Sequence, residues 1–453
     1  MSRRRIQGMA SWMTSDLNRS LWAREPLPRS APLNSDLEID VAVIGAGYTG
    51  LSSAYHMKRL FPNRRVVVFE AKCAGNGGSG RNGGMCLTQP SIDYMSMIHP
   101  DTHKLTYEAT AQCIRELVGL MQARGYGSDI GQHGSLMTNI GERGAEKSRE
   151  YAKKAGSLGI PIEYWDRARI SEEIGTSVYA GGLFDPNASE ADPMKIVRAL
   201  KEAAEGLGVV VYEDSPVVEI NEGKPIRLLV KGEAGEIHKV TAGALVLGTD
   251  AYSSKVGYFA KNIVVLHTEL AATKPIGKEG FEKIGWTSRI PFHDDRFFLY
   301  HLGSTKDYRI TIGAGNVEYF FNDSVVYNKD YGPRERALKK ELMRIFPSLG
   351  EPEFEYVWSG ALSFSPDTSQ SVGVIGRDRN IFYGTSYTGH GVTLAFLFGK
   401  IIADMYAGKD GQWKAMPFYQ NALPRYLPPE PFRYLFVKGY LKYLRFMDSR
   451  SHK

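Results

Sequence analysis

Ile39-Asp40-Val41-Ala42-Val43-Ile44 runs straight into Gly45-Ala46-Gly47-Tyr48-Thr49-Gly50, and a stretch striped with Leu51, Ala54, Tyr55, Met57 and Leu60 follows. The first six residues form the short, unalternating apolar run of a buried parallel strand. The stripe after Gly50 has the period of a helix. Pro62-Asn63 ends it, and Val66-Val67-Val68-Phe69-Glu70 reads as a second strand. One βαβ unit of about 30 residues results. A bare GxGxxG carries little weight in a chain with 48 glycines among 453 residues. Here it follows a strand, opens a helix, and has an acid twenty residues beyond Gly50, as a dinucleotide fingerprint requires. Gly45 makes the tight turn, Gly47 admits a pyrophosphate to the backbone, and Gly50 lets helix and strand pack closely. The pyrophosphate sits on the free N–H groups of the helix start, around Tyr48 and Thr49. Glu70, followed by Ala71, is placed to accept hydrogen bonds from the ribose hydroxyls.

Two further glycine clusters extend the reading. Cys73 to Cys86 reads Cys-Ala-Gly-Asn-Gly-Gly-Ser-Gly-Arg-Asn-Gly-Gly-Met-Cys, so nine of the 48 glycines fall between Gly45 and Gly84. A backbone so bare, with Ser79, Arg81, Asn82, Gly83 and Gly84 along it, suits a long cofactor lying against the main chain. Near the other end, Gly384-Thr385-Ser386-Tyr387-Thr388-Gly389-His390-Gly391-Val392-Thr393 feeds an apolar helix through Leu394, Phe396, Ile401 and Met405. This start offers a second positive dipole end. Facing the N1–C2=O side of a flavin, it would stabilise the negative charge that builds there on reduction.

Composition sets the limits. The balance of 56 Lys+Arg against 50 Asp+Glu, a net +6, is mild for this length, and basic runs are as short as Arg3-Arg4-Arg5. No nucleic-acid partner is expected from that pattern. Three cysteines, with no CxxC pair, make no disulfide framework and point to a reducing compartment. The basic amino terminus lacks an apolar run behind it, and no stretch nears the ~20 apolar residues of a spanning helix. A cytoplasmic protein without a metal site is the expectation.

The chain divides into a leader over 1–37, with Trp12, Trp22 and prolines 26, 28 and 32, and a discontinuous nucleotide domain over 38–95, 185–251 and 352–410. Met194 to Gly208 reads as a helix, and Val209–Tyr212 and Leu245-Val246-Leu247 as strands. A sheet-based second domain over 96–184 and 252–351 is inserted between these pieces, with Phe297–Tyr300 and Arg309–Ile312 as strands. Residues 411–453 form a tail.

Taken together, these blocks resemble the FAD-dependent D-amino-acid-oxidase-like family, which takes in glycine oxidase and sarcosine oxidase. The resemblance runs from about residue 20 to 410. It rests on Asp40 to Ser52, Ser79 to Gly84, Pro193, Ser215-Pro216-Val217, Gly248-Thr249-Asp250-Ala251-Tyr252, Trp358-Ser359-Gly360 with Asp367 and Gly373, and Tyr387 to Gly391. The Ser79–Gly84 block is similar to the γ-glutamylputrescine-oxidase-like branch. The resemblance implies an α/β fold, a Rossmann-like FAD-binding domain with an interleaved antiparallel-sheet substrate domain. It also implies oxidation of a C–N bond of an amine or amino acid, hydride passing to flavin N5 and leaving an imine that hydrolyses. Val217 would meet the adenine end through its backbone, and Gly248 and Thr249 join the cofactor-binding set. Relatives with covalent flavin use a cysteine in the carboxy-terminal half or a histidine in the glycine-rich loop. This chain has no cysteine after Cys113 and no histidine in 73–86, so non-covalent FAD is expected. Many relatives also carry an arginine after the tyrosine of a substrate-domain strand, to hold a carboxylate. Here the pair is Tyr300-His301, with Arg296 and Arg309 as substitutes.

Three residues are catalytic candidates. His390 would stand near the pyrimidine end of the flavin, or cap the following helix. His267 and Tyr300, on strands of the second domain, would line the substrate pocket or serve its core; Met85 and Cys86 would pack at the flavin face. The tail after Pro428-Pro429-Glu430-Pro431 sets Phe432, Leu435, Phe436, Tyr440, Tyr443 and Phe446 among Arg433, Lys438, Lys442 and Arg445. That is a basic amphipathic helix over 430–447, which packs on its own protein, on a partner subunit or on the inner face of a membrane. Three readings of function follow. An oxidase uses O2 as acceptor, a membrane-associated dehydrogenase passes electrons to a quinone, and a flavoprotein subunit has no turnover of its own.

Overall fold

The computed structural model describes residues 3–6, 19–25, 27–88, 99–327, 329–420 and 426–451. Trp12 and Pro26 of the leader lie outside them. The fingerprint folds as β1 (Leu37–Ile44), α1 (Tyr48–Leu60) and β2 (Val66–Phe69). Both strands are parallel in one sheet. Val210–Tyr212 adds outside β2, and the inner half of Ile237–Leu247 pairs with β1 on one side and Ile381–Thr385 on the other, all parallel. Val41, Ala42 and Val43 are wholly buried. A strand covered on both faces has no polar side to show, which explains the unalternating run. On one face lie α1, α2 (Pro193–Gly206) and α3 (Gly391–Tyr406), through Leu51, Met57, Val197, Leu200, Leu394 and Ile401. On the other, Ala42, Ile44, Val67 and Phe69 share a cluster with Ile220, Leu228 and Val230. These come from an antiparallel meander, Val217–Asn221 and Ile226–Lys231, that continues the outer half of Ile237–Leu247. Arg3–Arg5 closes its edge.

The second sheet runs, in spatial order, Glu318–Tyr319, Val264–Thr273, Ile310–Ala314, Tyr300–Ser304, Phe292–Asp294, Ser135–Asn139, Gly181–Asp185 and Glu163–Asp166. Its pairings are antiparallel except that of Phe292–Asp294 with Leu136–Thr138. Two elements depart from expectation. Phe354–Phe364 pairs along nearly the whole of Val264–Thr273 and so belongs to this sheet, not to the nucleotide part. Phe297 and Phe298 sit in a turn, and the strand begins only at Tyr300. The carboxylate of Asp294 causes this by taking the backbone N–H groups of Arg296 and Tyr300, at 3.2 and 3.3 Å. Beyond both sheets, α4 (Phe432–Ser451) packs on the second sheet through Val437 and Leu441. Among the described residues no helix is long and apolar enough to cross a membrane.

Candidate active site

A cavity of about 410 Å³ extends from the carboxyl ends of β1 and β2 to the face of the second sheet. Two helix starts open into it. α1 begins after Gly47 and α3 after His390, and neither of these residues caps its helix with its side chain; in α1 the Tyr48 N–H goes to Ser79 Oγ, so it is the N–H groups after it, from Thr49 on, that are left for a ligand. Close packing dictates the glycines. Gly45 has φ +99°, and a Cβ there would stand 2.7 Å from Gly248 O. At Gly50 a Cβ would fall 1.9 Å from Gly45 O, so this glycine serves the strand–helix contact and does not line the cavity. Glu70 follows β2 directly, its carboxylate accepting the N–H groups of Ala46 and Lys72, both at 2.9 Å. Burial raises its pKa, and those backbone bonds pull it back.

The second glycine cluster is braced from outside. Arg81 donates to Asn76 O at 3.0 Å and Ser359 O at 3.1 Å, and Asn82 Oδ1 accepts the Gly84 N–H at 2.8 Å. Trp22 from the leader donates to Asn82 O at 2.8 Å, and Trp358 to Arg81 O at 2.9 Å, the two indoles meeting edge to face. Ser79 Oγ accepts the Tyr48 N–H at 3.0 Å, joining this loop to the start of α1. The far cluster meets the same helix where Tyr387 OH stands 2.6 Å from Thr49 Oγ1.

The cavity is lined by most of the residues singled out for a cofactor: Gly45, Gly47, Tyr48, Thr49, Glu70, Ala71, Ser79, Arg81, Asn82, Gly83 and Gly84 from the first half, then Val217, Gly248, Thr249, Thr388, Gly389, His390, Gly391 and Val392. Gly384 and Thr393 are not among the lining residues. A Cβ on Gly384 would meet Tyr387 OH at 2.7 Å, and Thr393 is buried inside α3 with its carbonyl accepting from Cys113 Sγ.

The substrate-side candidates fall differently. His267 is buried and donates to Ser324 O at 2.8 Å, away from the cavity, which Thr268 and Leu270 line instead. Tyr300 also points away, its ring under the Arg296 guanidinium, while its neighbour His301 lines the cavity. Successive side chains of a strand face opposite ways, so each strand offers one of the two. Arg296 pairs with Asp294 and Glu341, and Arg309 with Asp307 and Glu355; neither lines the cavity as a carboxylate anchor. Met85 lines it, whereas Cys86 is buried, its Sγ directed at Gly84 O and its thiol pushed up to about 12 by burial.

Sequence reasoning missed His293, Phe297, Asn316 and the cavity role of Asp250. His293, His301 and His390 share the cavity. Burial brings His301 and His390 down to about 4 and lowers His293 as well, so the trio is neutral at physiological pH. The ring of His301 is wedged between Gly83 and Gly313, where a Cβ on either would come within 2.5 Å of it. Among the described residues no group of three or more His, Cys, Asp or Glu is disposed to hold a metal ion. Asp250 accepts from the Ser386 N–H at 3.2 Å, and burial lifts it to about 6. The signal for His293 was faint, since only strand parity relative to His301 places it.

Comparison with known proteins identifies a family and a shared fold. A family model described as FAD dependent oxidoreductase (DAO) matches residues 40–405. The chain is 28% identical over 407 residues to γ-glutamylputrescine oxidoreductase of Escherichia coli K12, covering 85% of this chain and 88% of the relative. It is 26% identical over 390 residues to a probable oxidoreductase, OrdL, of Haemophilus influenzae, covering 84% and 85%. Glycine oxidase from Geobacillus kaustophilus shares the fold at a TM-score of 0.72 and 19% identity, over 86% of this chain and 100% of that one. L-Proline dehydrogenase from P. horikoshii does so at 0.67 and 18%, over 91% and 99%.

Proposed function

Because the chain belongs to the DAO family of FAD-dependent oxidoreductases, we propose that it oxidises the C–N bond of an amine in the cavity between the two glycine clusters and the second sheet. The residues present fit FAD. The cradle at Gly45 and Gly47 with the start of α1 would hold the pyrophosphate, and Glu70 the ribose. Gly389 to Val392 at the start of α3 would face the flavin ring. When bound, FAD supplies a two-electron hydride acceptor. The protein binds and aligns the substrate and excludes water, so that the amine leaves as an imine that hydrolyses.

One observation carries the choice of an amine. Among the described residues, Lys72 and Arg81 are the only Lys or Arg that line the cavity, both lie in the nucleotide half, and Arg81 is engaged by Asn76 O and Ser359 O. The wall formed by the second sheet presents neutral His293 and His301, Asn316, Phe297 and Leu299. Such a wall suits an amine whose reacting carbon bears no carboxylate. The Escherichia coli relative is named for γ-glutamylputrescine. O2 is the acceptor in this reading, with hydrogen peroxide as its product, and FAD is held without a covalent bond.

Anaerobic mixing of the yellow protein with mono- and diamines, set against their α-amino-acid counterparts, tests this. Amines should bleach the flavin, and acid precipitation should release it into the supernatant. Bleaching by α-amino acids alone would overturn the substrate class. A protein that purifies colourless and cannot be reconstituted with FAD would overturn the whole.

A further inference from the structure

The two faces of α4 differ. Inward, Val437 and Leu441 are buried in a cluster with Val264, Leu266, Phe298 and Tyr319, and Arg433 pairs with Asp323. Outward, Phe432, Leu435, Phe436, Tyr440, Tyr443 and Phe446 are each between 48% and 66% exposed. Phe436, Tyr440 and Tyr443 stack in a ladder, with ring centroids 6.3 and 6.5 Å apart. Monomeric soluble proteins rarely leave so continuous an apolar stripe open to water.

The charges say what covers it. Phe432–Ser451 holds five basic residues and a single acid, Asp448. That acid is turned inward, taking the backbone N–H groups of Phe297 and Phe298 at 3.1 and 3.4 Å. Glu430, just ahead of the helix, is likewise engaged by Tyr319 OH and by the N–H groups of Asn322 and Tyr434. Lys442 stands exposed beside the stripe, while Lys438 on the flank is paired with Glu318 at 2.8 Å. Two copies meeting through this face would each bring Lys442, with no carboxylate on the described part of the stripe to answer it. Anionic headgroups do answer, and tyrosine rings are at home at headgroup depth.

We propose that the outer face of α4 docks this protein on an anionic lipid surface. The helix lies in the plane of the interface and its stripe enters the headgroup boundary. The docked helix also borders the cavity. Phe297, which lines the cavity and is 63% exposed, is held by Asp448 of α4, and the lining residue Asn316 accepts from Arg445 at 2.9 Å.

Co-sedimentation of the FAD-loaded full chain with phosphatidylcholine vesicles, with and without 30 mol% phosphatidylglycerol, tests the proposal. We expect binding to the anionic vesicles at least about tenfold tighter, weakening as salt rises. The double variant Phe436→Ser/Tyr440→Ser should lose about tenfold or more in affinity, and Lys442→Glu several-fold, with flavin spectrum and amine turnover unchanged. Equal binding to both vesicle types would overturn the proposal. So would a dimer, seen by light scattering, that the double variant turns into monomer, since a second copy would then own the face.

Discussion

At the scale of single residues, neutrality organises the site. An amine yields hydride only with its nitrogen lone pair free, so a protonated substrate is inert. The cavity histidines stay unprotonated to about pH 4 at His301 and His390. The acid limb of kcat/KM should therefore belong to the substrate. Across a series of amines it should move one-for-one with the amine pKa, measured by steady-state kinetics from pH 6 to 10. A limb fixed near 6.5 for every substrate would assign it to a protein histidine instead. His56 carries a related prediction for stability. It is buried in α1 against Phe396, its Nε2 has no hydrogen-bond partner among the described residues, and burial lowers it to about 3. Below its ordinary pKa of about 6.5 the unfolded chain takes up a proton that the folded one refuses until about 3, so stability falls on acidification through that window. The loss amounts to roughly 2 kcal/mol by pH 5. Denaturant melts of His56→Phe at pH 7.5 and 5 should show a decline smaller by about that amount; an unchanged decline would mean that His56 is protonated in the fold.

At the scale of elements, the crossing of α1 with α3 holds the two helix starts at one cavity. A Cβ on Gly399 would lie 2.3 Å from Ser52 Oγ and 2.6 Å from Ser53 N. Gly399→Leu should destabilise by about 1–3 kcal/mol or more and lower the flavin bound per chain, read from the melting temperature and the absorbance of the purified protein. Gly119→Ala is the control. Nothing lies within 4 Å of that site in the helix Pro100–Ala123, so stability should hold or rise slightly. This scale also explains what could be read beforehand. The βαβ unit was legible because a ligand and a close crossing impose glycine at fixed spacings, a demand that survives in one sequence. The substrate wall was not. His267 and Tyr300 sit one residue from Thr268 and His301, which do line the cavity, and short apolar strands give no sign of which parity faces in. Asp294 hid its turn in the same way, since an aspartate reads alike whether it caps backbone N–H groups or meets solvent.

At the scale of the molecule, the cavity, the sheet that walls it and the outer helix form one continuous stack. Phe298 belongs both to the cavity lining and to the cluster beneath α4. If α4 rests on lipid, an acceptor dissolved in the bilayer comes, beside O2, within reach of the cavity that the helix borders. Anionic vesicles loaded with a quinone should then reoxidise the amine-reduced protein faster than the same vesicles offered to Phe436→Ser/Tyr440→Ser, in anaerobic stopped-flow. Equal rates would mean that docking is irrelevant to reoxidation.

The distance along the chain between the two glycine clusters also sets an order in time. Residues 45–84 leave the ribosome early, but their partners at 387–392 come some three hundred residues later. At about 5–20 residues per second that interval is roughly 15–60 s. Throughout it the first cluster has no second helix start to close over a ligand. FAD is therefore captured only after residues 387–392 have emerged, and a nascent chain stalled before Thr385 should emerge without colour.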